Sequence, residues 1–382
     1  MDNVDARNIC SLLIICMLSK ALIIAAVAYV PSKEIASWLD NGTDDWRHNW
    51  RALNITSDNR PITEKLGNTF DSRGYVHISK SGYTIDDSQQ NVNLGGDCIY
   101  VWPFMYPIFI RIFSFFMDPV VAGLLVSNVA SLAAVVLFYM VSSGYVGRDS
   151  AYRAGVLFAL FPYNLAFWTA SFSEPLYAVF VLLCWFFLLR SQLLLCGFFA
   201  MLASLTRLPG LMLFPLLSII YCIMMRHKQG LKDLAVNTFT FNVFCLPILY
   251  WMFVQVPQGT GYSLTSLRSI CVGDSIFGGF IGIFAGSVFG ILFTYFAFIG
   301  AYYLKDIDHN LMFYSLSFMA FHIIFAPVGL GVYIGRYIGV IWPLFIYYGH
   351  KFDGWDVRFY SVISVLSALL MILLHANQVS WI

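Results

Sequence analysis

The sequence predicts an all-α polytopic membrane protein, and three observations predict it. Of the 382 residues 59% are hydrophobic and 11% charged, with a mean hydropathy of +0.73. Soluble domains carry about 25% charged residues, and one core cannot hide so much apolar surface. The apolar residues run continuously for about 20 positions, whereas a transmembrane β-barrel alternates apolar and polar over roughly ten. The basic residues sort to one side when these runs are threaded alternately through a bilayer. Such a composition excludes a soluble enzyme, a nucleic-acid binder and a secreted disulfide scaffold. The net charge of +1 names no partner.

The first run, Ile9–Val30, follows Arg7 and is too long for a signal-peptide core; no small-residue cleavage site follows it. It reads as the first span. The polar stretch Pro31–Cys98 comes next, with glycosylation acceptors at Asn41 and Asn54, which fit a lumenal or extracellular loop. Segment 99–117 is apolar but broken by Pro103 and Pro107 and carries Arg111. It reads as re-entrant or interfacial, because proline removes backbone donors that lipid cannot replace. Further runs at 120–141, 154–172, 174–190, 192–206, 208–225, 236–256, 276–303, 309–330, 333–350 and 357–375 bring the expectation to about eleven spans. The whole chain, 1–382, reads as one transmembrane domain.

With a cytosolic N-terminus, Arg148, Arg153, Arg190, the Arg226–Lys232 cluster, Lys305, Lys351 and Arg358 fall in the cytosol. Asp71, Glu174, Arg207, Arg336 and His375 then share the opposite side. Glycines recur every fourth position at 278, 282, 286 and 290, and at 331, 335 and 339. This spacing lets helix backbones approach, first of all within the chain. Six of the eight cysteines lie in or beside apolar runs and read as small hydrophobes. Cys98 and Cys271 fall in loops, where a pairing in an oxidising lumen is open; no CxxC is present.

Ionisable groups at membrane depth are costly and mark functional candidates. Asp71 and Glu174 are ordinarily helix caps; Arg207 and Arg336 ordinarily snorkel to the interface. The sharper reading of the two arginines is a clamp for a phosphate at the membrane surface. Tyr75, Ile78 and Tyr83 suit a short helix lying on the membrane. No nucleotide-binding loop, HExxH or DxD motif occurs. Neither a metal nor a cofactor is indicated, and an enzyme here would take a lipid-borne, pre-activated substrate.

Five stretches resemble, in order, the signatures of the GPI mannosyltransferase II (PIG-V) family. They are Phe70-Asp71 through Tyr75, Ile78-Ser79 and Gly82-Tyr83; Tyr100 through Trp102-Pro103 to Tyr106-Pro107; Phe161-Pro162-Tyr163-Asn164 through Ser173-Glu174; Leu205-Thr206-Arg207 to Gly210-Leu211; and Leu373-Leu374-His375 to Trp381. The resemblance implies a GT-C architecture with a catalytic acid in a long first lumenal loop. It implies transfer of an α-1,6-linked second mannose from dolichol-phosphate-mannose to a GPI-anchor precursor at the endoplasmic reticulum membrane. A β-linked donor and an α-linked product make the reaction inverting, so one carboxylate suffices as base. Asp71 takes that role. Arg207 and Arg336 meet the leaving phosphate, while Glu174, Tyr75, His77, Trp102, Tyr106 and His375 complete the donor side.

The expected partners are the lipid-linked sugar donor and the glycolipid acceptor, with room for a small accessory membrane subunit. Other readings stay open. One is a prokaryotic-type transferase at the plasma membrane that uses another polyprenyl-phosphate sugar. The other is a non-enzymatic lipid transporter or scaffold.

Overall fold

Long runs of Leu, Val, Ile, Ala and Phe satisfy their backbone within helices, as an apolar environment demands, and among the described residues no strand forms. The computed structural model describes residues 3–29, 60–69, 71–84, 96–266, 288–325 and 335–376. The acceptors Asn41 and Asn54, Cys271, the glycines at 278, 282, 286 and 331, and the end of the chain from 377 lie outside them.

Helix α1 (Asn3–Tyr29) buries Ile9, Leu12, Cys16, Lys20, Ile23 and Val27, a stripe at three- and four-residue spacing. Two short helices follow in the polar loop, α2 (Ile62–Gly67) and α3 (Asp71–Ser81). A 3-10 turn (Gly96–Val101) leads to α4 (Met105–Phe113). The nine residues of α4 rise only about 14 Å at ~1.5 Å each, too little to cross hydrocarbon about 30 Å thick. Asp118 then caps α5 (Pro119–Val146), its carboxylate accepting from Val120 N–H at 2.8 Å. The stripe of α1 packs on α5, on α6 (Arg148–Leu160), on α7 (Pro162–Phe167) and on the last long helix, α17 (Gly354–Ala376).

The expected span at 154–172 does not form as one helix. Its helix stops at Leu160, Phe161 turns to an extended ψ of 129°, and Pro162 starts the six-residue α7. Residues 168–173 are irregular and buried. Their polar groups Thr169, Ser171 and Ser173 supply partners that a lipid-facing segment would lack. Beyond them, α8 (Glu174–Leu189) and α9 (Leu193–Thr206) form an antiparallel hairpin turned at Ser191. Their 16 and 14 residues span about 24 and 21 Å.

Next come a 3-10 turn (Leu208–Met212), α10 (Leu213–Met225) and α11 (Leu231–Val243). Then follow α12 (Leu246–Tyr250), a π-turn at Trp251–Gln255 and α13 (Val256–Thr260). Near the C-terminal end stand α14 (Val288–Tyr303), α15 (His309–Phe325) and α16 (Pro343–Lys351). Among the described residues four helices are long and apolar enough to cross a membrane, and five if Leu231–Val243 and Leu246–Thr260, bent by 43°, act as one span. The expected runs at 154–172, 174–190 and 192–206 give helices of 13, 16 and 14 residues, the first ended before Pro162, and the runs at 276–303, 309–330 and 333–350 are only partly within the described residues.

Gly335 and Gly339 do allow a close approach within the chain. A methyl on Gly335 would meet the Tyr163 ring at 2.0 Å, and one on Gly339 would meet Asn164 Oδ1 at 2.1 Å. Asn164 Nδ2 donates to Gly339 O at 3.1 Å. Arg336 is thereby seated against the break between α6 and α8.

Candidate functional site

The break, the start of α3 and the end of α9 meet at one place. Asp71 is the first residue of α3, Glu174 the first of α8, and Arg207 follows the last of α9. Arg336 arrives beside Gly335. Arg336 Nη2 lies 2.7 Å from Asp71 Oδ2, and its Nε donates to Glu174 Oε1. Arg207 Nη1 reaches the same Glu174 oxygen at 2.8 Å. Four residues from distant parts of the chain thus form one chain of ion pairs, Asp71–Arg336–Glu174–Arg207, with no net charge.

Exposure separates the two acids. The Asp71 side chain is 31% exposed and that of Glu174 only 2%. Glu174 Oε1 serves both guanidinium groups, while Oε2 is buried and has no hydrogen-bond partner. Arg336 also lies over the rings of Phe172 (4.7 Å from the ring centre) and Phe167 (5.2 Å), within cation–π range of both.

The neighbouring hydroxyls complete the arrangement. Ser173 Oγ accepts from Arg207 Nη1 at 3.1 Å and shares a hydrogen bond with Tyr75 OH at 2.9 Å. Burial, the largest cause, pushes the Tyr75 phenol above its ordinary pKa; Arg207 pulls it down and the two carboxylates push it up. Tyr75 therefore remains a neutral hydrogen-bonding group here. Ser72 Oγ donates to Ser171 O at 2.7 Å, tying α3 to the irregular segment.

The turn after Arg207 is dictated locally. Pro209 ends helical pairing, and Gly210 lies against the backbone of α9. A methyl on Gly210 would sit 2.5 Å from Ser204 N and 2.6 Å from Ala203 C, atoms that cannot yield. Gly210→Ala is expected to destabilise by about 1–3 kcal/mol, as overpacking does, and to shift Arg207. The check is the detergent-solubilised midpoint of unfolding beside an Arg207-dependent activity.

The remaining expected site residues are more scattered. Tyr106 is fully buried and uses its hydroxyl on Gly123 O (3.0 Å) and Ser171 Oγ (3.0 Å), so it supports the site from beneath. Its ring and that of Trp102 meet the Tyr75 ring edge-on, at 4.9 and 6.2 Å. Trp102 also covers Gly74. The His77 ring bonds Thr84 O at 3.2 Å, away from the ion pairs. His375 belongs to α17, but its side chain lies outside the described residues. Tyr75 and Ile78, expected on a membrane-lying face, are buried in the protein, because α3 packs against α4 and α5. In the sequence Ser173 figures only as the neighbour of Glu174; its part between Tyr75 and Arg207 has no sequence signal. Among the described residues no group of three or more His, Cys, Asp or Glu side chains could hold a metal ion.

No family model matches the sequence, and no curated protein matches it. Solved structures do. ArnT from Cupriavidus metallidurans bound to undecaprenyl phosphate superposes with a TM-score of 0.53 at 14% identity, over 86% of this chain and 75% of that one. Its apo form gives 0.49 at 15% identity, over 80% and 70%. Taken with the all-helical architecture, the first of these likenesses shows that the chain has the GT-C fold of polytopic membrane proteins.

Proposed function

We propose that this chain is an inverting membrane glycosyltransferase that draws its sugar from a polyprenyl phosphate. Within that class, we infer that dolichol-phosphate-mannose is the donor and that the product carries the second, α-1,6-linked mannose of a GPI-anchor precursor. The observation that carries the reading is a partly exposed carboxylate, Asp71, joined through Arg336 to a second arginine across a buried glutamate. The GT-C fold and the motif resemblance support the donor class.

In this reading Asp71 accepts the proton of the acceptor hydroxyl as that oxygen bonds to the anomeric carbon. The bond from that carbon to the phosphate oxygen breaks, and its electron pair leaves with the polyprenyl phosphate. Arg336 and Arg207 take up the charge that grows on the departing phosphate. Glu174 holds both guanidinium groups in place before the donor arrives. In this reading the two arginines take the part that a metal ion would otherwise take at the phosphate.

Arg336 contacts two acids through different nitrogens, a fork that a lysine ammonium cannot reproduce. Arg336→Lys is expected to raise the donor KM about tenfold or more while the protein still inserts. A donor KM equal to wild type would return Arg336 to a structural anchor.

The activity itself is tested by supplying the protein, in membranes, with dolichol-phosphate-mannose or with an undecaprenyl-phosphate sugar. Rescue of a GPI-mannosylation-deficient cell line supports the specific reading. Transfer from the undecaprenyl donor alone favours a cell-surface glycolipid instead, an arm motivated by the ligand of the superposed ArnT structure. Transfer from neither donor overturns the proposal.

A further inference from the structure

Lys20 lies well inside α1, on the buried stripe with Leu12, Cys16, Ile23 and Val27, where a cation is costly unless it is hydrogen-bonded. Its Nζ instead donates to Asn128 Oδ1 at 2.8 Å, Ser131 Oγ at 2.6 Å and Trp168 O at 2.7 Å. Three acceptors match the three donors of an ammonium, and all are neutral. Two of them belong to α5. The third, Trp168 O, is the first carbonyl past α7, where the helix has ended and no helical partner awaits it.

From Trp168 the irregular segment 168–173 leads directly into Glu174, and it is tied at almost every step. Asn128 Nδ2 donates to Thr169 O at 3.1 Å. Ser171 N donates to Leu66 O at 3.0 Å, and Ser171 O accepts from Ser72. Ser173 Oγ ends the segment between Tyr75 and Arg207. One end of this strap is held by Lys20 and Asn128, and the other carries the acid that both arginines share.

We propose that Lys20 is a positioning residue for the site. It fixes the strap 168–173, so that Ser173 and Glu174 stand where Arg207 and Arg336 meet them. It touches no reacting group and acts through Glu174. The role rests on the transferase reading only for its assay. A lysine kept merely to glue α1 to α5 would need Asn128 and Ser131 and would have no use for Trp168 O.

The test is a double-mutant cycle on the full-length protein in detergent, with Lys20→Met and Glu174→Gln singly and together. Lys20→Met removes the donors at similar length. It is expected to lower kcat by roughly ten- to a hundredfold, the cost of a small misplacement, with acceptor KM unchanged. In the Glu174→Gln background it should cost less than about twofold more, because residues acting as a unit are not additive. Lys20→Arg, which keeps the donors, should recover most of the lost kcat. Should Lys20→Met fail to fold, Ser131→Ala, which removes one of the acceptors, is measured in the same cycle.

Multiplicative losses in the double mutant, or a wild-type kcat in Lys20→Met, would overturn the role. If the wild-type protein transfers no sugar, the transferase reading fails by itself. The cycle is then read on thermal stabilisation by added undecaprenyl phosphate, where the same non-additivity is expected and additivity again overturns the role.

Discussion

Asp71→Asn is expected to lower kcat by about 10²–10⁴-fold while the protein inserts normally, since a positioned general base contributes that much. The amide keeps size and can still meet Arg336, but it cannot take a proton. Asp71 is the partly exposed acid of the cluster, at the open end of the ion-pair chain. Asp71→Glu moves the carboxylate by about 1 Å, and a shift of that size can cost roughly 10²-fold. The measurement is single-turnover transfer from the lipid-linked sugar, with donor binding followed separately. Near-wild-type turnover in Asp71→Asn would remove Asp71 from the chemistry.

Glu174→Gln is expected to be at least as damaging overall, by a different route. On sequence alone Glu174 would take a supporting part with a smaller effect. The geometry gives it more, because its Oε1 is the shared partner of Arg336 and Arg207. Neutralising it leaves two buried guanidinium groups facing each other, with only Asp71 to balance them. Removing one member of a buried ion pair costs about 3–5 kcal/mol. Both the unfolding midpoint and kcat should fall. Restored stability in Glu174→Gln/Arg207→Met, with activity still lost, would separate the two contributions. An unchanged midpoint in Glu174→Gln alone would show that Glu174 does not carry the arginines.

Much of this site was legible because ionisable residues are rare in such a chain. With 11% charged residues, Asp71, Glu174, Arg207 and Arg336 stood out, and the loop-charge asymmetry placed them on one side. What no sequence pattern conveyed was their pairing. Asp71 and Arg336 are 265 positions apart, and nothing local links them. Lys20 escaped for the opposite reason. It sits within a strongly apolar run that absorbs one cation without losing its hydropathy, and its acceptors are 108 to 148 positions away.

The break at 161–173 was half visible. Pro162 marks it, but Leu165, Ala166, Phe167 and Trp168 keep the run apolar through it. The fold class needed only composition and run length. The division of the run 154–172 needed the position of Pro162 relative to the helix end, which hydropathy averages out.

The shortness of the α8–α9 hairpin bears on where the reaction takes place. Its turn at Ser191 is flanked by Arg190 and lies at the far end from Glu174 and Arg207. Anchored there at one interface, arms of about 21–24 Å stop short of the other face of hydrocarbon about 30 Å thick. In the proposed transferase the acid and the arginines would then lie several ångströms beneath the headgroups, and the lipid phosphate would have to leave part of its hydration shell to reach them. On that reading hydrophobic mismatch, relieved by a locally thinned leaflet, would be part of substrate entry, and a thin bilayer would suit the hairpin better than a thick, sterol-rich one.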